Sequence, residues 1–139
     1  MNKFVKDFKQ IRSKDVAMVG GKGASLGEMT NTGIPVPSGF VVLTSAFDRF
    51  IDESNIHDDI YNILNKVNRK DISAVELASD KIRTLIKQAK FPEDISSEII
   101  LEFTKLKSKL VAVRSSATAE DSSAASWAGE LESYLNTTK

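Results

Sequence analysis

Val19-Gly20-Gly21-Lys22-Gly23-Ala24-Ser25 sets one lysine among three glycines, and the rest of the chain is read outward from it. Glycine leaves backbone N–H groups uncovered, so an ammonium and several amides can meet one anion together. Upstream, Asp15-Val16-Ala17-Met18-Val19 reads as a strand-like run into the glycines. Downstream, Ala24 to Thr30 reads as a short helix, with Ser25 and Glu28 at capping-box spacing and Asn31-Thr32-Gly33 as its stop. A phosphate-binding turn at a strand-to-helix junction follows from that reading. The spacing is not a Walker A loop, which needs Gly-Lys followed directly by Ser or Thr. Nor is it the dinucleotide fingerprint, because Gly27 falls one residue late. The same residues also make a tight turn and helix entry with a solvated lysine, and the segment alone leaves both readings open.

A second segment has related chemistry. Val113-Arg114-Ser115-Ser116-Ala117-Thr118-Ala119-Glu120-Asp121 puts an arginine where the apolar strand Leu110-Val111-Ala112-Val113 ends, and its planar fork can grip two phosphate oxygens. The plainer alternative is a strand-end arginine paired with Glu120 or Asp121 above a serine-rich loop running to Ser126. Ser115 and Ser116 have no neighbouring base, so neither is read as a nucleophile.

Between and around these segments the elements alternate in kind. Phe4 to Phe8 alternates apolar and polar residues as a half-buried strand does. Ile34-Pro35-Val36-Pro37-Ser38-Gly39 is a rigid bend, since each proline fixes its own φ and pushes its predecessor toward extended geometry. Phe40 to Leu43 is a short buried strand, and Ser45 with Asp48 opens a helix to about Ser54. Helical spacing then governs the middle of the chain, from about 56 to 109. Ile60, Ile63, Leu64 and Val67 mark one helix. Val75, Ala78, Ile82, Leu85, Ile86 and Ala89 mark a second, with Ser73 and Glu76 as its capping box. Ile95, Ile99, Phe103 and Leu106 mark a third that starts at Pro92. Glu132 to Asn136 is the next strand. The fold class is α/β (α+β), with the middle helices as an insert.

Composition narrows the function classes. The 139 residues suit one domain or part of one. Lysine plus arginine and aspartate plus glutamate stand at 19 each, so there is no net field to draw nucleic acid or an anionic membrane. With no cysteine, disulfides, thiolate nucleophiles and the commonest zinc frameworks are excluded together, and a cytoplasmic location is expected. Met1 to Gln10 alternates charged and apolar side chains and lacks the apolar run of a secretory signal or membrane span. His57 lies outside any motif and is expected to be exposed or capping.

Three ordered motifs carry a family resemblance: Val-Gly-Gly-Lys-Gly-Ala-Ser-Leu-Gly-Glu-Met, Ile-Pro-Val-Pro-Ser-Gly-Phe and Val-Arg-Ser-Ser-Ala-Thr-Ala-Glu-Asp. The arrangement resembles the N-terminal ATP-grasp region of the phosphoenolpyruvate synthase, pyruvate phosphate dikinase and rifampin phosphotransferase family, from about Phe8 through Asn136. The resemblance implies a partial ATP-grasp nucleotide-binding domain over residues 1–139. It implies that Lys22 contacts ATP phosphates and that Arg114 joins it on the same phosphate chain. Gly129-Glu130-Leu131-Glu132-Ser133 is similar to the family's glycine loop over the triphosphate, with Gly129 allowing close backbone approach and Ser133 offering a hydroxyl. Family members often carry glutamine after that glycine and aspartate and threonine further on, where this chain has Glu130, Glu132 and Ser133. Trp127 stands where phenylalanine is usual.

The resemblance also implies what lies beyond Lys139: the acidic and amide ligands for Mg²⁺, a domain with a phospho-accepting histidine, and a domain that binds pyruvate or another small acceptor. The chain is therefore expected to be a fragment that supplies Lys22 and Arg114, with no catalytic residue or metal ligand of its own, and with exposed apolar surface where the remainder docks. Two other readings stand beside this one: a fragment of an antibiotic (rifampin) phosphotransferase, and a free-standing, non-catalytic nucleotide- or partner-binding module whose middle helices form the interface.

Overall fold

The fold was analysed in a computed structural model, which describes residues 3–118 and 132–138. The described chain divides into two compact units, one formed by residues 1–46 and 94–139 and the other by Phe47–Glu93.

In the first unit, strand β1 (Val5–Asp7) pairs antiparallel with β2 (Phe40–Val42), Val5 opposite Val42 and Asp7 opposite Phe40. Asp7 ends the strand by turning its carboxylate onto the Lys9 N–H at 2.8 Å, which starts a 3-10 turn over Phe8–Gln10. A second 3-10 turn, Ser13–Asp15, leads into helix α1 (Val16–Asn31).

The segment Asp15 to Val19, expected to be strand-like, is therefore helical. Val16 and Val19 lie three residues apart and both pack on the Ile11, Ala24 and Leu43 core, while Ala17 and Met18 face out. That is helical spacing, not alternation. The expected capping box of Ser25 and Glu28 is likewise corrected. Glu28 accepts from the Ser13 N–H at 2.9 Å, and Ser25 lies exposed inside the helix. Asn31 closes α1 by donating to the carbonyls of Ile11 and Gly27 at 2.8 and 2.7 Å. The segment from Ile34 to Gly39 is irregular, as its prolines require.

Helix α2 (Thr44–Ser54) follows β2, and helix α5 (Glu93–Lys105) returns to the first unit. Pro92 precedes the first turn of α5 by one residue and is not inside it. Ile95 is fully buried against Phe4, Val5 and Ala46, with Phe40 and Ile99 at the margin. Glu98 fastens the same helix by accepting from the Lys3 and Phe4 N–H groups.

The second unit holds most of α2 together with α3 (His57–Lys66) and α4 (Ile72–Gln88). Phe50, Ile51 and Ile56 form its core with Ile60, Ile86 and Ala89, and the Phe50 and Phe91 rings lie 5.8 Å apart. His57 sits exposed at the first position of α3. The cap of α4 is Asp71, which accepts from Ser73 and Ala74, and not the expected Ser73 and Glu76 box. This unit begins and ends earlier than the helical stretch expected over about 56–109. The reason is that Ile95 and Ile99 of α5 join the Phe4 and Val5 core.

Strands β3 (Val111–Arg114) and β4 (Ser133–Thr137) form an antiparallel ribbon in the first unit. Between the Val111–Thr137 and Val113–Tyr134 pairs, β4 carries an extra residue, and Asn136 takes up the bulge at φ 54. The described residues form a mixed helix and sheet (α+β) fold with two small sheets.

Candidate functional site

The site is built where α1 breaks. Gly20 has φ 72 and ψ 171, a conformation open essentially to glycine alone, so the single turn Val16–Val19 and the longer helical run after it are not coaxial continuations of each other. A side chain at position 20 has no room either. A Cβ there falls on the Ser116 hydroxyl and lies 3.0 Å from both the Ser116 Cβ and its carbonyl carbon.

The break brings the segment after β3 against the glycines. Gly21 N–H donates to the Ala117 carbonyl at 3.0 Å. The Ser116 hydroxyl donates to the Val19 carbonyl at 3.1 Å and accepts from the Gly23 N–H at 3.4 Å. Val19 and Gly23 are i, i+4 partners, so the hydroxyl enters the helical ladder at its weak point. Lys22 sits half-buried between two of these bonded glycines.

The ribbon places the other candidates beside that junction. Arg114 is the last residue of β3, is exposed, and stands directly opposite Ser133, the first residue of β4. Two residues on, Ser116 touches the glycine segment, so the Lys22 and Arg114 segments are in direct contact. Ser115 stitches the open end of the ribbon: its hydroxyl accepts from the Glu132 N–H at 2.8 Å and its N–H donates to the Glu132 carbonyl at 3.0 Å. The Glu132 carboxylate in turn accepts from the Tyr134 hydroxyl. Gly129, Glu130 and Trp127, and the Glu120 and Asp121 considered as partners of Arg114, lie outside the described residues.

Lys22 and Arg114 thus belong to two segments tied together by the Gly21–Ala117 and Ser116 bonds, and an ammonium and a guanidinium are each groups suited to phosphate oxygens. Among the described residues no three His, Asp or Glu side chains cluster together. A cleft on the flank of α1 is lined by Ser13, Val16, Gly21, Ala24, Ser25, Glu28 and Met29, and by neither Lys22 nor Arg114. No helix among the described residues is long and apolar enough to cross a membrane.

Ser116 is the residue that sequence reasoning missed. The sequence weighs it only as a nucleophile; its role as a bridge to Val19 depends on a contact between residues 97 positions apart. The one local signal was a hydroxyl two residues past a strand-end arginine.

Comparison with known proteins bears on the same residues. Residues 16–139 match the model of the pyruvate phosphate dikinase AMP/ATP-binding domain. The chain is 47% identical over 140 residues to a probable phosphoenolpyruvate synthase of Methanocaldococcus jannaschii, covering 96% of this chain and 12% of that protein. It is 38% identical to the probable phosphoenolpyruvate synthase of Methanothermobacter thermautotrophicus, covering 98% of this chain and 21% of the relative. It is also 38% identical to the phosphoenolpyruvate synthase of Pyrococcus furiosus, covering 96% and 21%. The chain thus spans roughly an eighth to a fifth of the length of these relatives.

Proposed function

Because the chain belongs to the pyruvate phosphate dikinase AMP/ATP-binding domain family, we propose that it is the N-terminal portion of an ATP-grasp domain, with Lys22, Arg114, Gly129 and Ser133 as its contacts to the triphosphate. The observation that carries this reading is the junction itself: Gly21 and Gly23, which flank Lys22, bond to Ala117 and Ser116, immediately past Arg114. Lys22 supplies a compact charge and Arg114 a two-pronged one. Together they neutralise the phosphate chain on which negative charge shifts during phosphoryl transfer. Ser133, opposite Arg114 on the ribbon, adds a neutral donor.

In the longer enzyme we place this domain at the ATP-consuming end of a reaction that phosphorylates a histidine and then pyruvate, in the cytoplasm, with magnesium held by residues beyond this chain. That the relatives are named as phosphoenolpyruvate synthases favours pyruvate over an antibiotic hydroxyl as the acceptor. The chain by itself is expected to bind ATP and not to turn it over.

Calorimetric titration with ATP tests the assignment. Lys22→Ala and Arg114→Ala should each weaken binding about tenfold or more, the scale of one charge-assisted contact. Equal affinity in the wild type and both variants overturns the reading.

A further inference from the structure

We propose that Ser116 is a positioning residue: its hydroxyl clasps the Gly20–Gly23 segment to the exit of β3 and so sets the spacing of Lys22 and Arg114 along the phosphate chain. This rests on the phosphate reading above and adds to it the part that holds the two cations in register.

Three observations converge on Ser116. Its oxygen uses both capacities of a hydroxyl, donating to the Val19 carbonyl at 3.1 Å and accepting from the Gly23 N–H at 3.4 Å. Those groups belong to the turn that Gly20 interrupts, where the ladder is open to an inserted side chain. The space the hydroxyl fills exists only because position 20 has no Cβ. The neighbouring bond from Gly21 N–H to the Ala117 carbonyl, at 3.0 Å, runs between the same two segments. Lys22 is thus held on both sides by residues that also fix the backbone two and three positions beyond Arg114. Ser116→Ala keeps the fold's apolar contacts and removes both hydroxyl bonds, which leaves the Gly21–Ala117 backbone bond as the remaining tie and loosens the register of the two segments. Threonine keeps the oxygen.

The test uses the full 139-residue chain, with amide hydrogen exchange read by NMR and ATP binding read by calorimetry on wild type, Ser116→Ala, Ser116→Thr and the control Thr84→Ala. Thr84 bonds only within α4. The expected result is loss of protection greatest at Gly23, which loses its acceptor, and smaller at Gly21, which keeps the Ala117 carbonyl, in Ser116→Ala, with ATP affinity down about three- to tenfold, the scale of one hydrogen bond. Protection and affinity should recover in Ser116→Thr and stay unchanged in Thr84→Ala. The non-additivity of Lys22→Ala and Arg114→Ala in ATP binding should also shrink when Ser116 is alanine, which a mere loss of folded chain does not produce. Unchanged exchange at Gly21 and Gly23 in Ser116→Ala overturns the clasp, whatever the ligand result. Lost protection with wild-type ATP affinity leaves a purely structural bond and overturns the positioning role. Absence of ATP binding in the wild type overturns the phosphate reading itself, and the positioning role with it.

Discussion

Replacing Gly20 by alanine should destabilise the first unit by about 2–4 kcal/mol without unfolding it. At φ 72 and ψ 171 the backbone occupies a region that L-residues avoid, at a cost of about 1–3 kcal/mol. The added Cβ also displaces the Ser116 hydroxyl, and losing its bond to the Val19 carbonyl costs a further ~1 kcal/mol. Domains are usually stable by about 5–15 kcal/mol, so the variant remains folded but weakened. Urea unfolding followed by circular dichroism reads this as a fall in the midpoint of about 1–2 M, taking a slope of about 2 kcal/mol per molar. The two contributions separate in a double variant. Ser116→Gly in the Gly20→Ala background removes the contacts with the hydroxyl and Cβ but not the one with the carbonyl carbon or the strained φ, so the pair should lose less than the two single losses combined. A midpoint within about 0.2 M of wild type would show that the chain escapes the positive φ cheaply and that the break at Gly20 is not what shapes the site.

Other substitutions test the rest of the fold. Asp71→Ala should cost about 1 kcal/mol by removing the cap of α4, while Ser73→Ala should stay within about 0.5 kcal/mol; equal losses in urea unfolding would put the cap elsewhere. Ile95→Ala empties a fully buried position and should lower stability by about 2–5 kcal/mol, read by thermal or urea melts, whereas a loss under about 1 kcal/mol contradicts the tight Phe4, Val5 and Ala46 packing. Gly27→Ala sets a Cβ 2.5 Å from the Ile11 Cγ2 and 2.9 Å from its carbonyl oxygen. That crowding should cost about 1–3 kcal/mol, outweighing the ~1 kcal/mol that alanine gains in helix propensity, and a more stable variant refutes the close approach.

Several apolar side chains on and next to the β3–β4 ribbon are exposed. Leu110, Val113, Tyr134 and Leu135 are each at least 48% exposed.

Much of the fold was legible in local pattern. The i, i+3 and i, i+4 apolar spacing located α3, α4 and α5, and Gly33 and the paired prolines mark the ends of elements by their own stereochemistry. Boundaries slipped where two polar residues competed for one cap. Asp71 won over Ser73, and Glu28 bonded to Ser13 instead of closing a box with Ser25. The run Val16 to Val19 was misjudged because a four-residue apolar run fits both a buried strand and a helical turn, and only the shared core with Ile11 and Leu43 decides between them.

By itself the sequence determined which groups could meet an anion, Lys22 among glycines and Arg114 at a strand end, because those properties reside in single side chains and their immediate neighbours. Only the tertiary structure decided that the two segments touch, that Arg114 stands across from Ser133, and that one hydroxyl holds the junction. Those facts depend on bonds between residues far apart in the chain, whose formation is set by core packing and chain closure and leaves no periodic trace in the sequence.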